Sequence, residues 1–331
     1  MTETAGATEL SLRVLEDFDA PAIDPRAWDE LLASSATDAP FLTHEWQRLW
    51  WRHFGDERLA IVLAEREGRL AAIAPLFAVE GSISLVGSGN SDFLDFIGRP
   101  DEPALAAMLA AAREAVDEFS GIELYHLPLD SPTTAMLPGV AARLGLDLYR
   151  EEAPGAPYAL LEDAELFERL TARRSVRKEE ARMGRAGELR ARVAGADELQ
   201  ELLELFLTQH GERWRAAGEE SFGRRGSREF LRAVVPAGRR GGWARLTALE
   251  WRGEVAAIDI SVIRGSSQLT WLVSRDPSIR DYSPGRVLSA HVVRDARDAG
   301  VRRLDFGLGE EDYKLRDTSG VRSLANWFLY P

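Results

Sequence analysis

The chain has no cysteine. That excludes disulfides, a thiolate nucleophile and cysteine-bound metal. Lysine is nearly missing too: of 41 basic residues, only Lys178 and Lys314 are lysine. The two cations differ in shape, hydration and ease of proton loss. A sequence drifting toward arginine would keep lysine where arginine fails, although two survivors could also be chance. The five histidines, His44, His53, His126, His210 and His291, show no ligand spacing, and no metal is expected. No stretch of 18 apolar residues occurs, so no membrane insertion is expected. The first ten residues are acidic and lack an apolar core, which reads as no signal peptide and a soluble cytoplasmic protein. Positive charge is in deficit, at a net of -13. Nucleic acid is therefore not an expected partner, because phosphate backbones need clustered cations.

What is present points to two domains. The 331 residues, 45% hydrophobic, suffice for two ordinary cores. An internal repeat supports the division. Residues 65–73, Glu-Arg-Glu-Gly-Arg-Leu-Ala-Ala-Ile, align with 250–258, Glu-Trp-Arg-Gly-Glu-Val-Ala-Ala-Ile, at an offset of 185. Each copy sits in the same frame of three strands: 59–65, 70–77 and 82–86 in the first, and 245–250, 255–263 and 267–273 in the second. Helix 102–119, strand 122–126 and helix 133–144 continue the first half. Helices 164–172, 175–183 and 196–217 open the second, and an arginine/glycine turn is expected at 238–242. Helix 43–54 carries Trp46, Leu49, Trp50, Trp51 and Phe54 on one stripe, a pattern of packing against a sheet. Prolines and a glycine at 153–157 mark the boundary, giving domains 1–153 and 154–331.

Residues 282–314 hold most of the chemistry. Ser283 is a good helix cap, Pro284 suits the first helical position, and Gly285 leaves the first turn bare. Free N–H groups at the positive end of the helix, with Arg286 beside them, form a candidate phosphate or pyrophosphate site. Ordinary capping chemistry would leave the same pattern. A strand, 303–306, and a polar turn with Tyr313 and Lys314 follow.

Further segments follow in order along nearly the whole chain: Phe41-Leu42-Thr43-His44-Glu45-Trp46, Ala74-Pro75-Leu76, Asp92-Phe93-Leu94-Asp95-Phe96, Arg174-Ser175-Val176-Arg177, His210-Gly211-Glu212-Arg213-Trp214, Ser283-Pro284-Gly285 and Asp305-Phe306-Gly307 with Tyr313-Lys314. With these the chain resembles the CelD-like or BioF-like branch of the GNAT superfamily, relatives of the Fem transferases. The resemblance implies an α/β fold of two tandem GNAT-like domains, each a mixed, mainly antiparallel sheet flanked by helices. It implies acyl transfer from acetyl-CoA or another acyl-CoA to an amine of a small-molecule or sugar-type acceptor. Ser283, Pro284, Gly285, Arg286 and Val287 would contact the CoA pyrophosphate. A backbone N–H among Leu272, Val273 and Ser274 would polarise the thioester. The turn departs from the usual glutamine/arginine-x-x-glycine-x-glycine form. The first copy has residues 92–103 in its place, so one cofactor site per chain is expected.

An alkyl amine is roughly 1 part in 1,000 neutral at pH 7, so a base or desolvation must assist it. Asp259, mid-strand with Ser261 on its face, and His210, on a helix with Arg213 and Trp214, are the candidate bases. Each also reads as an ordinary structural residue. Tyr313 lies where the resemblance places the acid for the departing thiolate, though packing of the last turn would also use it. Lys314 is a candidate for an acidic acceptor or phosphate. Arg174, Arg177 and Lys178 form a basic patch or a solvated helix face. The acceptor is expected to pass Asp92, Asp95, His210 and Trp214. The rival readings are an aminoacyl-tRNA-dependent transferase of Fem type and a non-enzymatic accessory protein of polysaccharide synthesis or export.

Overall fold

The computed structural model describes residues 10–216, 225–279 and 281–331, apart from the side chains of Arg213, Trp214, Ala216 and Tyr313. The chain divides into two compact units. The first runs to Pro154 and includes Arg322–Pro331; the second is Gly155–Val321. Residues 322–331, assigned to the second domain from sequence, thus belong with the first.

In chain order the first unit contains β1 (Leu10–Leu15), α1 (Pro25–Ala33), α2 (His44–Phe54), β2 (Arg58–Arg66), β3 (Arg69–Val79), β4 (Ser82–Leu85), β5 (Ile97–Gly98), α3 (Glu102–Glu114), β6 (Gly121–Pro128) and α4 (Pro132–Leu144). Strand β7 (Asp147–Leu160) carries the chain into the second unit. There follow α5 (Ala164–Ala172), α6 (Arg174–Ala186), β8 (Leu189–Val193), α7 (Leu199–Ala216), α8 (Ser227–Gly241), β9 (Ala244–Trp251), β10 (Glu254–Arg264), β11 (Ser267–Arg275), α9 (Pro284–Asp298), β12 (Arg303–Asp305), α10 (Asp312–Leu315) and β13 (Gly320–Tyr330). The first unit orders its strands β1-β2-β3-β4-β6-β13, with β5 also on β3. The second orders them β7-β12-β11-β10-β9-β8.

The sequence repeat is a structural repeat. Both copies turn on two residues of positive φ, Glu67-Gly68 at 53° and 71° and Arg252-Gly253 at 57° and 81°. That is the backbone of a tight hairpin whose twist matches its strands. Ser82–Ser84 of β4 then pair in parallel with Gly121–Glu123 of β6. In the second copy, Ser267–Leu269 of β11 likewise pair in parallel with Arg303–Asp305 of β12. A helix, α3 or α9, makes each crossover.

The copies diverge where a site could form. β4 ends at Leu85, and β5 takes over its edge of β3 at Ala72 and Ile73. β11 instead continues to Arg275 along β10. Only one copy therefore has a long strand next to a short parallel partner.

Trp46, Leu49, Trp50 and Phe54 of α2 are buried, as the stripe predicts, with Gln47 and His44 among them. Gln47 Nε2 donates to Phe41 O and Val86 O, while its Oε1 is buried without a partner. The turn expected at 238–242 is instead the end of α8, capped by Gly242. Pro236 and three glycines hid the helix, whose buried face is Phe230, Leu231, Val234, Val235 and Ala237. Gly238 is required there, since a Cβ would lie 2.5 Å from that of Ala244.

Candidate functional site

In the second unit, backbone hydrogen-bonding groups of β11 and the start of α9 come together. β11 and β12 pair only through Leu269 and Asp305. Past that point the chain after β12 turns away, with Phe306 N bonded to Pro157 O. The β11 residues Thr270, Trp271, Leu272 and Val273 are half-buried, and no β12 pairing follows beside them. β11 also carries a bulge there. Ile260 faces Leu272 and Ser261 faces Thr270, leaving Trp271 as the extra residue. A bulge kinks the strand and releases ladder groups, a common device beside sites. The chain then passes a loop to the first turn of α9.

That first turn is only partly as the sequence suggested. Pro284 is buried, and Gly285 has open space where a Cβ would stand. Arg286 is exposed, while Val287 packs into the core with Leu288, Leu249 and Ala257, leaving Val287 only its backbone to offer. Ser283 makes no side-chain cap, which corrects the expected hydroxyl cap. Its backbone N–H donates instead to Glu179 Oε1 of α6, at 2.8 Å. A carboxylate from elsewhere in the unit thus already meets the positive helix end. Tyr282 beside it rests on Trp251, ring centroids 4.6 Å apart, with the Arg182 guanidinium 4.1 Å over its ring.

Asp259 lies one strand in from the open edge, opposite Val273. It is buried, and Ser261 Oγ donates to its Oδ1 at 2.5 Å. Gln268 Nε2 donates to Ser261 Oγ at 3.1 Å, and Gln268 Oε1 is buried without a partner. Burial pushes the Asp259 carboxyl up to about 7, against the opposing pull of Ser261 and of the Arg245 charge.

The remaining sequence candidates are scattered. His210 is buried on α7 against Phe206, ring centroids 5.4 Å apart. Ser274 is buried and its hydroxyl donates to Gln209 Oε1, so its side chain faces α7 rather than a ligand. Lys314 is buried, donating to Leu308 O at 2.5 Å and pairing with Glu311 at 3.0 Å. That corrects its reading as a substrate cation: its charge closes the loop before α10. Asp95 is buried in the first unit, where it accepts from Thr37, Thr133 and its neighbour's backbone at Phe96. With its lone pairs used and burial holding its pKa up, it is a structural tie and no acceptor contact. Asp92 is half-buried in the same unit. The side chains of Trp214 and Tyr313 lie outside the described residues. Among the described residues no acidic or histidine cluster could hold a metal ion, and no helix is long and apolar enough to cross a membrane.

Residues 171–315 match the family model described as an acetyltransferase (GNAT) domain. The second unit thus carries a GNAT-type domain. Its fold over both units is similar to that of FemX, at 14% identity over 93% of this chain and 96% of that one, with a TM-score of 0.67. It is similar to L-PGS from Bacillus licheniformis, at 15% identity, 93% and 91% coverage and a TM-score of 0.60. It is also similar to a tandem GNAT protein from the clavulanic acid biosynthesis pathway, at 14% identity, 97% and 98% coverage and a TM-score of 0.52. No curated protein matches the chain in sequence.

Two residues of the GNAT unit escaped sequence reading because their roles are long-range. Glu179 reads as one of two adjacent acids on an otherwise basic α6, yet it reaches Ser283. Gln209 reads as a polar face of α7, yet it is buried and bridges Val255 O to the Ser274 hydroxyl, at 3.0 and 2.9 Å. It fixes α7 against the strand that carries the open edge. Gln209→Ala would strand the half-buried Val255 carbonyl and the buried Ser274 hydroxyl. The expected loss is about 1–3 kcal/mol of stability, read as a lower denaturant midpoint with an unchanged slope. An unmoved midpoint would show the bridge to be dispensable.

Proposed function

We propose that the protein is an N-acyltransferase that takes its acyl group from acyl-CoA and passes it to an amine. The observation that carries this reading is the bulged, half-buried edge of β11 at Thr270–Val273, leading to a helix start with an open glycine. An extended thioester arm can add to such an edge through main-chain hydrogen bonds. A phosphate can sit on the bare first turn of α9. Both features occur in one copy of the repeat, which gives one donor site per chain.

In the chemistry proposed, the amine nitrogen attacks the thioester carbonyl and the carbon–sulfur bond breaks. The amine proton leaves to Asp259, the candidate base whose pKa stands near working pH. A β11 backbone N–H steadies the oxyanion. Tyr313 supplies a proton to the thiolate. His210, buried against Phe206, is the weaker candidate base. The acceptor is an amine of a small molecule or sugar. The location proposed is the cytoplasm, where acyl-CoA is made.

A direct attack leaves no acyl-enzyme. The chain has no cysteine, and the nearest approach to a nucleophile elbow, Gly87-Ser88-Gly89, lies in the first unit. Mass spectrometry after incubation with acyl-CoA alone should show unmodified protein. An adduct that acceptor then removes would overturn direct attack.

One observation favours a second reading. Glu179 already satisfies the Ser283 N–H, where a pyrophosphate would want the helix end free of negative charge. A Fem-type donor, an aminoacyl-tRNA, would not need a free pyrophosphate cradle at that turn. Calorimetric titration separates the two: acetyl-CoA should bind at one site per chain, and absence of binding by any CoA ester would favour the tRNA donor.

A further inference from the structure

A second feature of the GNAT unit lies apart from the open edge. A cavity of about 620 Å³ opens at the elbow between α5 and α6. Its lining holds five cations, Arg169, Arg173, Arg174, Arg177 and Lys178, against two carboxylates, Glu165 and Glu168. The carboxylates do not use up this charge. Glu165 pairs with Arg169 at 2.8 Å and Glu168 with Arg177 at 3.1 Å. Asp317 takes Arg173 at 2.6 Å. Arg174 and Lys178 have no carboxylate within 4.0 Å among the described residues. Arg173 also keeps its Nε buried without a partner, although its other end is paired.

The sequence pattern points the same way. Arg174, Lys178 and Arg182 stand four residues apart, one turn after another along nearly one face of α6. At 1.5 Å per residue the stripe is about 12 Å long. Its far end, Arg182, stands at Tyr282, beside the α9 turn. Lys178 is one of two lysines in the chain, and the other, Lys314, is spent on Leu308 and Glu311. A lysine ammonium is a compact point charge suited to a phosphate, and flanking guanidiniums add forked donors. In a protein of net charge -13, a free pair of cations in a concave site is a local reversal of sign.

We propose that the α5–α6 cavity binds a phosphate or pyrophosphate group of a phosphorylated small-molecule substrate, with Arg174 and Lys178 as its principal contacts. The proposal goes beyond the acyl transfer reading and does not depend on which donor is used. Two sources share the chemistry: a terminal phosphate on the donor, reached along the 12 Å stripe of α6, and a phosphorylated acceptor.

The test uses the full chain and inorganic pyrophosphate, titrated by calorimetry at low salt. Wild type should bind it. Arg174→Gln and Lys178→Gln should each weaken binding roughly tenfold, and the double variant about a hundredfold, because each removes a hydrogen bond to a charged group. Both side chains are exposed, so the variants should fold as wild type. Arg185→Gln, on the same helix outside the cavity, should change nothing. Absence of pyrophosphate binding would overturn the proposal, and so would equal weakening by Arg185→Gln, which would mark a diffuse surface effect. A second arm finds the source. If the donor supplies the phosphate, removal of the 3′-phosphate from acyl-CoA should weaken binding to wild type and leave the double variant unaffected. If acyl-CoA binds equally with and without that phosphate while pyrophosphate still binds, the acceptor supplies it. If acyl-CoA does not bind at all, the donor reading fails, and pyrophosphate alone still decides the cavity.

Discussion

Asp259→Asn is expected to lower the acyl transfer rate by roughly 10²-fold to 10⁴-fold, the usual worth of a positioned general base. The carboxyl is fully buried, and burial holds its pKa at about 7. The wild-type kcat/KM should therefore rise with pH through about 7, as the carboxylate forms. The asparagine variant should lose that rise and keep only the dependence set by the acceptor amine. Stability supplies an independent reading. The folded carboxyl keeps its proton up to about pH 7, whereas its ordinary value is 3.8, close to that of the unfolded chain. Unfolding releases that proton between those pH values, so the Asp259 contribution weakens the fold as pH rises from about 4 to 7 and is constant above. At pH 8 the asparagine variant should be more stable than wild type by at most about 4 kcal/mol, and at pH 4 nearly equal to it. A slower and more stable enzyme at pH 8 is the signature of a carboxylate kept for chemistry at a cost to the fold. Wild-type rates in the variant would remove Asp259 from the mechanism, whatever its stability.

The parts of this architecture legible in the sequence are those set by local chemistry. Gly68 and Gly253 each permit a positive φ in a two-residue turn, so the hairpins and their offset could be read directly. The aromatic stripe of α2 was legible because four of its five members meet the core. The unreadable parts depend on residues distant in sequence. β13 joins β6 through pairs such as Leu324 with Pro128, and nothing local to residues 320–330 announces that partner. β7 runs through Pro154, Gly155 and Pro157, the residues that marked a boundary in the sequence. Lys314 looked like a free cation because Leu308 O, its acceptor, depends on how the preceding loop folds. Ser283 looked like a cap because serine, proline and glycine so often are one. Glu179, 104 residues away, took the N–H first.

The same contact sharpens the second large effect. Gly285→Asp should weaken acetyl-CoA binding by at least roughly a hundredfold while leaving the fold intact. Nothing lies within 4 Å of the position its Cβ would take, so the substitution meets no steric obstacle. A carboxylate in the first turn interacts favourably with the helix dipole, worth about 0.3–1 kcal/mol. The melting temperature should therefore hold or rise slightly. Binding should move the opposite way, because the new anion stands at the helix start and repels the pyrophosphate. Two opposite signs from one substitution cannot come from misfolding. Glu179→Gln provides the converse. It keeps an acceptor for the Ser283 N–H and removes the charge that competes with phosphate, so CoA affinity should increase. Unchanged affinity in folded Gly285→Asp would place the donor elsewhere.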